Sequence, residues 1–244
     1  MFSVVFCVLV ARSARAFGDD GAFHPRVLLV GEAKIDPVRS SAPARFAWEM
    51  TQRTNAMARL APASVRADSP SLVNEPFAWW FGAADVGVLT TREMEGLRVF
   101  FTLGGVLWVD DSDPSSGVFG SSARRELARV LPDSATVSIG PEHVVFRTYY
   151  LLSRPAGRVQ GPTVLDAIVR NGQTQVLFSS HDIAGALAFG RSGEPSLSVE
   201  PGGEWQREMA IRTAVNIAMF ALCSTYKDDQ VHGPALMRRR ARNH

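Results

Sequence analysis

Asp110, Asp111 and Asp113 put three carboxylates within four residues, with Ser112 between them. Hard cations such as Mg²⁺ or Ca²⁺ take several oxygen ligands, so such a cluster can begin a metal site. Glu32, at the end of an earlier apolar run, can add a further acid. The competing reading is turn chemistry: one aspartate caps a turn, one accepts backbone N–H groups and one is solvated. His143 and the pair His181-Asp182 are the other polar residues able to join these acids. A histidine held by a carboxylate can serve as a general base or bind a metal. Two histidines and two acids would suit a transition metal. These residues lie far apart in the chain, however, and show no ligand spacing. Ser112 lacks the flanking glycines of a nucleophile elbow. The candidate ligand site is therefore Glu32, Asp110, Asp111, Ser112, His143, His181 and Asp182. Asp110, Asp111 and Asp113 are the metal candidates; no cofactor is predicted, and a divalent metal is the alternative.

The elements around the acids explain how they would be delivered. Thr90 and Glu93 form a capping-box pattern at a helix start. Met94, Leu97 and Phe101 then share one helical face. Gly104 and Gly105 end that helix. The run Val106-Leu107-Trp108-Val109 follows, short and apolar, as a strand buried on both faces would be. It stops at Asp110 and Asp111. In open α/β sheets, ligands bind outside the carboxyl ends of the strands.

Similar runs recur along the chain. Residues 26–31 (RVLLVG) and 77–81 (FAWWF) read as parallel strands. A helix of roughly 17 residues is expected after Ser40-Ser41 and Pro43, ending before Pro62. Residues 65–68 and 136–139 suit short strands. Ser121 or Ser122 is placed to cap a helix ending at Val130. Residues 143–152 (HVVFRTYYLL) fit either strand or helix. Arg170-Asn171-Gly172 between two apolar runs predicts a hairpin. Residues 183–203 read as an irregular loop, and 204–224 as a final buried helix. Alternating strands and helices predict an α/β fold, with a mostly parallel sheet, helices on both faces and a late antiparallel hairpin.

Of 244 residues, 46% are hydrophobic and 20% charged, a globular composition sufficient for one core. Setting aside six arginines near the two ends leaves 20 basic against 24 acidic residues. That balance offers no nucleic-acid-binding face. Residues 2–11 (FSVVFCVLVA) are too short to span a bilayer but suit a signal-peptide core, with cleavage expected after Ala16. The expected organisation is a signal peptide over 1–16, a spacer over 17–25, one α/β domain over 26–226 and a basic tail over 227–244. The mature protein would be exported, in the periplasm or envelope, with no transmembrane span. Cys223 would then be its single cysteine, read as a small buried hydrophobe in an apolar helix.

The run from Phe77 to Leu222 resembles a bacterial family known as domain of unknown function 4159. The resemblance rests on FAWWFGAAD, LRVFFTLGGVLWVDD, RRELARVLP, HVVFRTYYLL and AVNIAMFAL in that order, and residues 26–31 fit the family's beginning. It implies a three-layer flavodoxin-like fold of the class I glutamine-amidotransferase and trehalose-utilisation type. Many members are exported or membrane-tethered, and some are fused to or encoded near von Willebrand A-type and MoxR-type ATPase proteins. The chain departs from the family at Ala83, where members often carry histidine, and over 181–203, where members often have a longer aromatic and acidic segment. Glutamine amidotransfer needs an activated cysteine on a strand-to-helix turn, and Cys223 is not on one. The reading is a non-catalytic ligand- or protein-binding module. The alternatives are a metal-assisted hydrolase or carbohydrate-processing enzyme at the acidic strand end, and an architectural partner in an envelope complex.

Overall fold

The computed structural model describes residues 22–241, with side chains described through Ser224. The expected leader lies outside the described residues. Seven strands form one sheet: β1 (Arg26–Leu29), β2 (Ser64–Arg66), β3 (Phe77–Gly82), β4 (Val106–Asp111), β5 (Thr136–Ile139), β6 (Leu165–Arg170) and β7 (Gln173–Ser179). Their order is β2-β1-β3-β4-β7-β6-β5. The first five in that order are mutually parallel; β6 runs antiparallel to both β7 and β5. The Asn171-Gly172 turn closes the β6–β7 hairpin, both residues with positive φ as a tight hairpin turn requires. This is a flavodoxin-like α/β sheet with an antiparallel edge.

Helices cover both faces. On one lie α1 (Ala42–Arg53), α4 (Ile183–Leu187) and α5 (Gly203–Ala241); on the other lie α2 (Thr91–Thr102) and α3 (Val118–Val130). Because strand side chains alternate between faces, Trp79 and Trp108 feed the first core while Trp80 and Leu107 feed the second. Trp79 and Trp108, partners across the β3–β4 ladder, stack at 4.6 Å and 4°. Phe46 of α1 meets both edge-on at 5.5 and 5.9 Å. Each such side chain contributes about 1.5–3 kcal/mol by leaving water. All six residues of β4 are buried, as its apolar run predicts.

Local departures from the sequence reading have physical causes. α1 ends at Arg53 after twelve residues rather than about 17. The Thr54 hydroxyl and N–H both bond the Met50 carbonyl. The chain beyond is claimed by Phe23, whose N–H donates to the Met57 carbonyl and whose carbonyl accepts from Arg59. Residues 143–152 form neither strand nor long helix. Only Val144–Phe146 makes a 3₁₀ turn, and Asn216 of α5 holds the backbone of Tyr149 and Tyr150 through three hydrogen bonds. The start of the 183–203 stretch is helical, as α4, and α5 continues to Ala241, past the expected end at 224. Cys223 is exposed, not buried as expected: it falls on the outward face of α5. Among the described residues, no helix is long and apolar enough to cross a membrane.

Candidate functional site

Asp110 and Asp111 are adjacent in a strand, so they point to opposite faces. Asp110 is fully buried on the α4 and α5 side. Its Oδ1 accepts from the Ser179 hydroxyl at 2.6 Å, and its Oδ2 from the Ala184 N–H at 2.8 Å. Ser179 in turn accepts from the Trp108 indole N–H at 2.9 Å. Burial, reinforced by the charge of Asp182, pushes the Asp110 carboxyl up to about 7, against the pull of the Ser179 hydroxyl and the backbone N–H groups of Ala184 and Ile183. Asp111 faces α3. It accepts from the N–H groups of Asp113 at 3.0 Å and Gly120 at 3.1 Å, tying the strand end to the start of that helix. Burial is also the leading reason its pKa is raised. Asp113 accepts from the Ser115 hydroxyl in the following turn, and hydrogen bonds from Ser115 and Ser116 hold its pKa below the usual carboxylate range. Ser112 is buried and its hydroxyl has no partner among the described residues.

Asp182 and His181 follow β7, the neighbour of β4. Asp182 sits at a φ of 51° and caps α4 through the Gly185 N–H at 2.9 Å. Its carboxylate is fully buried and meets two arginines. Arg39 approaches bidentately, at 2.8 Å from Nε and 2.7 Å from Nη2, and Arg158 bonds the same Oδ2. Arg39 also reaches Asp36 and the Ser112 carbonyl, which joins the loop after β1 to the ends of β4 and β7. The bond to Asp182 is the main reason its guanidinium pKa is raised. His181 is 1% exposed; one ring nitrogen, Nε2, lies 2.9 Å from the Pro162 carbonyl. Burial lowers its pKa to about 4, so the ring is neutral at pH 7.

The structure thus brings Asp110, Ser112 and Asp182 into one buried knot, with His181 beside it. Asp111 turns instead to the α3 face, and Asp113 lies in the turn beyond the strand, bonded to Ser115. His143 is elsewhere: its Nδ1 accepts from the Val145 N–H at 3.3 Å and its ring lies 5.7 Å from Phe220. Among the described residues, no group of three or more His, Cys, Asp or Glu is placed to hold a metal ion. Arg39 and Arg158 were missed by the sequence reading. For Arg39 a signal existed, since it lies in the loop that follows the first parallel strand, where such folds gather functional groups.

Glu32 occupies a different place. β1 pairs with β3 only at Arg26–Ala78 and Val27–Trp79. Past that point the two strands part and open a crevice of about 630 Å³. β1 connects outward to β2 and β3 onward to β4, so this is the position where strand order reverses. Open α/β sheets bind ligands at such switch points. Trp80, Phe81 and Phe119 form its apolar depth, while Glu32, Lys34 and Asp85 stand exposed at its mouth.

The chain belongs to the family described as Domain of unknown function (DUF4159). The family's model matches residues 27–222, from β1 into α5. The DUF4159 match therefore contains both the buried acid–arginine knot and the β1–β3 crevice. No curated protein matches the chain.

Proposed function

We propose that this DUF4159 domain is a non-catalytic binding module, and that it takes its ligand or a partner's segment in the crevice between the ends of β1 and β3. The observation that carries the reading is the crevice itself: about 630 Å³ at the sheet's switch point, aromatic within and charged at the rim. The contrast with the acidic strand end adds support. There the carboxylates are occupied by Ser179, Ala184, Gly120, Arg39 and Arg158. None of the described hydrogen bonds gives Ser112 a histidine base. The reading needs no metal or other cofactor. Its setting is the cell envelope, on the strength of the apolar leader over residues 2–11. Von Willebrand A-type or MoxR-type proteins are the partners the family resemblance favours.

The test is a thermal-shift and calorimetric screen of metabolites and envelope-derived peptides against two proteins, wild type and Ala84→Trp. Ala84 is exposed and lines the crevice, so the indole would fill it without disturbing the core. Ligands that bind the wild type and lose at least tenfold in affinity to Ala84→Trp support the proposal. Turnover of any screened compound by the wild type, or binding that ignores the substitution, overturns it.

A further inference from the structure

The crevice between β1 and β3 has polar walls as well as an apolar depth. Strand pairing stops at Val27–Trp79, yet β1 runs on to Leu29 and β3 to Gly82. Over this stretch both strands stay paired on their outer edges, Leu29 with Arg66 of β2 and Gly82 with Asp111 of β4. Gly31, just beyond β1, is pinned too. Its N–H donates to Glu93 at 2.6 Å and its carbonyl accepts from Arg66 at 2.8 Å. The two walls are held apart, so the slot is built before any ligand arrives.

Successive residues of a strand turn their backbone groups to opposite edges. The Val27 N–H and the Leu29 carbonyl bond Ala63 and Ala67, which flank β2, so Leu28 and Val30 face β3. The Gly82 carbonyl accepts from Ser112, beyond β4, so Phe81 faces β1. Continued pairing would join the Leu28 carbonyl to the Phe81 N–H, and the Phe81 carbonyl to the Val30 N–H. Neither bond forms. These four groups have no other partner among the described residues, although Leu28, Val30 and Phe81 are all buried. Buried backbone groups are otherwise paired almost without exception. Each wall offers one donor and one acceptor.

Side chains supply the other two surfaces. Trp80 and Phe119 belong to the core on the α2 and α3 side, while Phe81 and Ile35 belong to the core on the α1 side. The slot is apolar above and below the sheet and polar along its two strand edges. Its floor is the Val27–Trp79 pair, about 10 Å below Val30 at about 3.3 Å per residue. A strand running through the sheet is blocked by that floor, whereas a ring with polar edges and apolar faces matches all four surfaces.

We infer that the crevice takes a flat heterocycle with an amide N–H and C=O on each of two opposite edges, the pattern shared by uracil-type bases and cyclic dipeptides. In the plane of the sheet, its edges pair with Leu28 and Val30 on one side and with Phe81 on the other, and its faces meet the aromatic rings. At about 630 Å³ the crevice exceeds the roughly 150 Å³ that suffices for benzene, so a substituent can reach Glu32 and Lys34 at the mouth. The inference rests on the crevice being the binding site and adds the class of ligand.

The test is titration calorimetry and amide NMR of the full-length chain with uracil, cyclic glycylglycine, 1,3-dimethyluracil and toluene. The expected result is one molecule of uracil or of cyclic glycylglycine per chain, and the tighter of the two names the source. The Val30 and Phe81 amide resonances shift on binding. Toluene binds at least tenfold more weakly than the tighter ring, as does 1,3-dimethyluracil, which lacks both N–H donors. Ala84→Trp abolishes binding; should that variant melt abnormally, the Val30 and Phe81 shifts decide. Equal affinity for toluene or the dimethylated ring, or binding that leaves those two amides unmoved, overturns the inference. So does the lack of saturable heat from either amide ring at millimolar concentration. The crevice reading then stands or falls separately, on the peptides and metabolites screened against Ala84→Trp.

Discussion

Asp182 is the residue on which most of the knot depends, because one buried carboxylate serves two arginines and a helix cap. Removing one partner of a buried ion pair leaves uncompensated charge and typically costs 3–5 kcal/mol. Asp182→Ala is therefore expected to lower unfolding stability by about that much in urea titrations, while Asp113→Ala, in a surface turn, stays within about 0.5 kcal/mol. A result with the two equal would remove Asp182 from this role. Asp110 behaves differently, since its folded pKa is raised rather than depressed. Between about 3.8 and about 7 the unfolded chain has released the proton and the folded chain still holds it. Stability therefore falls as pH rises through that window and levels off above it. Asp110→Asn removes the titration, so the wild type should lose stability relative to the variant between pH 4 and 7. At 1.36 kcal/mol per pH unit the upper bound is on the order of 4 kcal/mol. A difference that stays constant with pH would show that Asp110 is ionised in the fold. The sequence exposed these acids and their place at a strand end. It did not expose their partners, because Arg39 and Arg158 meet Asp182 across 143 and 24 residues of chain. Nor did spacing reveal that the alternation of a strand sends Asp110 and Asp111 to different cores.

At the scale of elements, the best-read piece was the capped α2. The Thr90 hydroxyl and the Glu93 carboxylate exchange the bonds their three-residue spacing predicts. Glu93 does more than the pattern showed: its Oε1 accepts from the Gly31 N–H at 2.6 Å, fixing the end of β1 beside the crevice. Thr90→Ala should then cost about 1 kcal/mol, a typical loss for a cap. Glu93→Ala should cost more, and should also weaken any crevice ligand, whereas Thr90→Ala leaves affinity alone. Gly96 offers a sharper test of how α2 is seated. A Cβ there would lie 2.0 Å from the Ala67 carbonyl oxygen, backbone that cannot rotate away. Gly96→Ala, which in an isolated helix would gain up to about 1 kcal/mol, is expected instead to destabilise the protein. A raised melting temperature would contradict that packing. Strands and hairpin were legible because their signals are local: apolar runs closed by glycine or acids, and Asn171-Gly172 at the turn. The length of α1, the form of residues 143–152 and the exposure of Cys223 were not. Each is decided by distant partners, namely Phe23, Asn216 and the orientation of α5 on the sheet.

For the molecule as a whole, the sheet is better sealed at its centre than at its margins. β3 and β4 are buried along nearly their full length, and β7 beside them is buried from Thr174 onward. The margins differ: β2 alternates exposed and buried residues, and β5 is exposed except at Ile139. Local opening follows this kind of gradient, since segments with few buried apolar contacts open at lower free energy than the centre. Amide hydrogen exchange should therefore proceed in order, with β5 and β2 first, then β1 and β6, and β3, β4 and β7 only through global unfolding. The crevice adds one asymmetry to that order. β1 loses its β3 partner after Val27, so the amides at the end of β1 and the loop after it should exchange well before Trp79, its neighbour across the sheet. A ligand in the crevice would bridge the parted strands and slow these amides selectively, without changing β5. If bound ligand protected the margins and the crevice alike, the effect would be general stabilisation by mass action, and the crevice would lose its claim to be the place of binding.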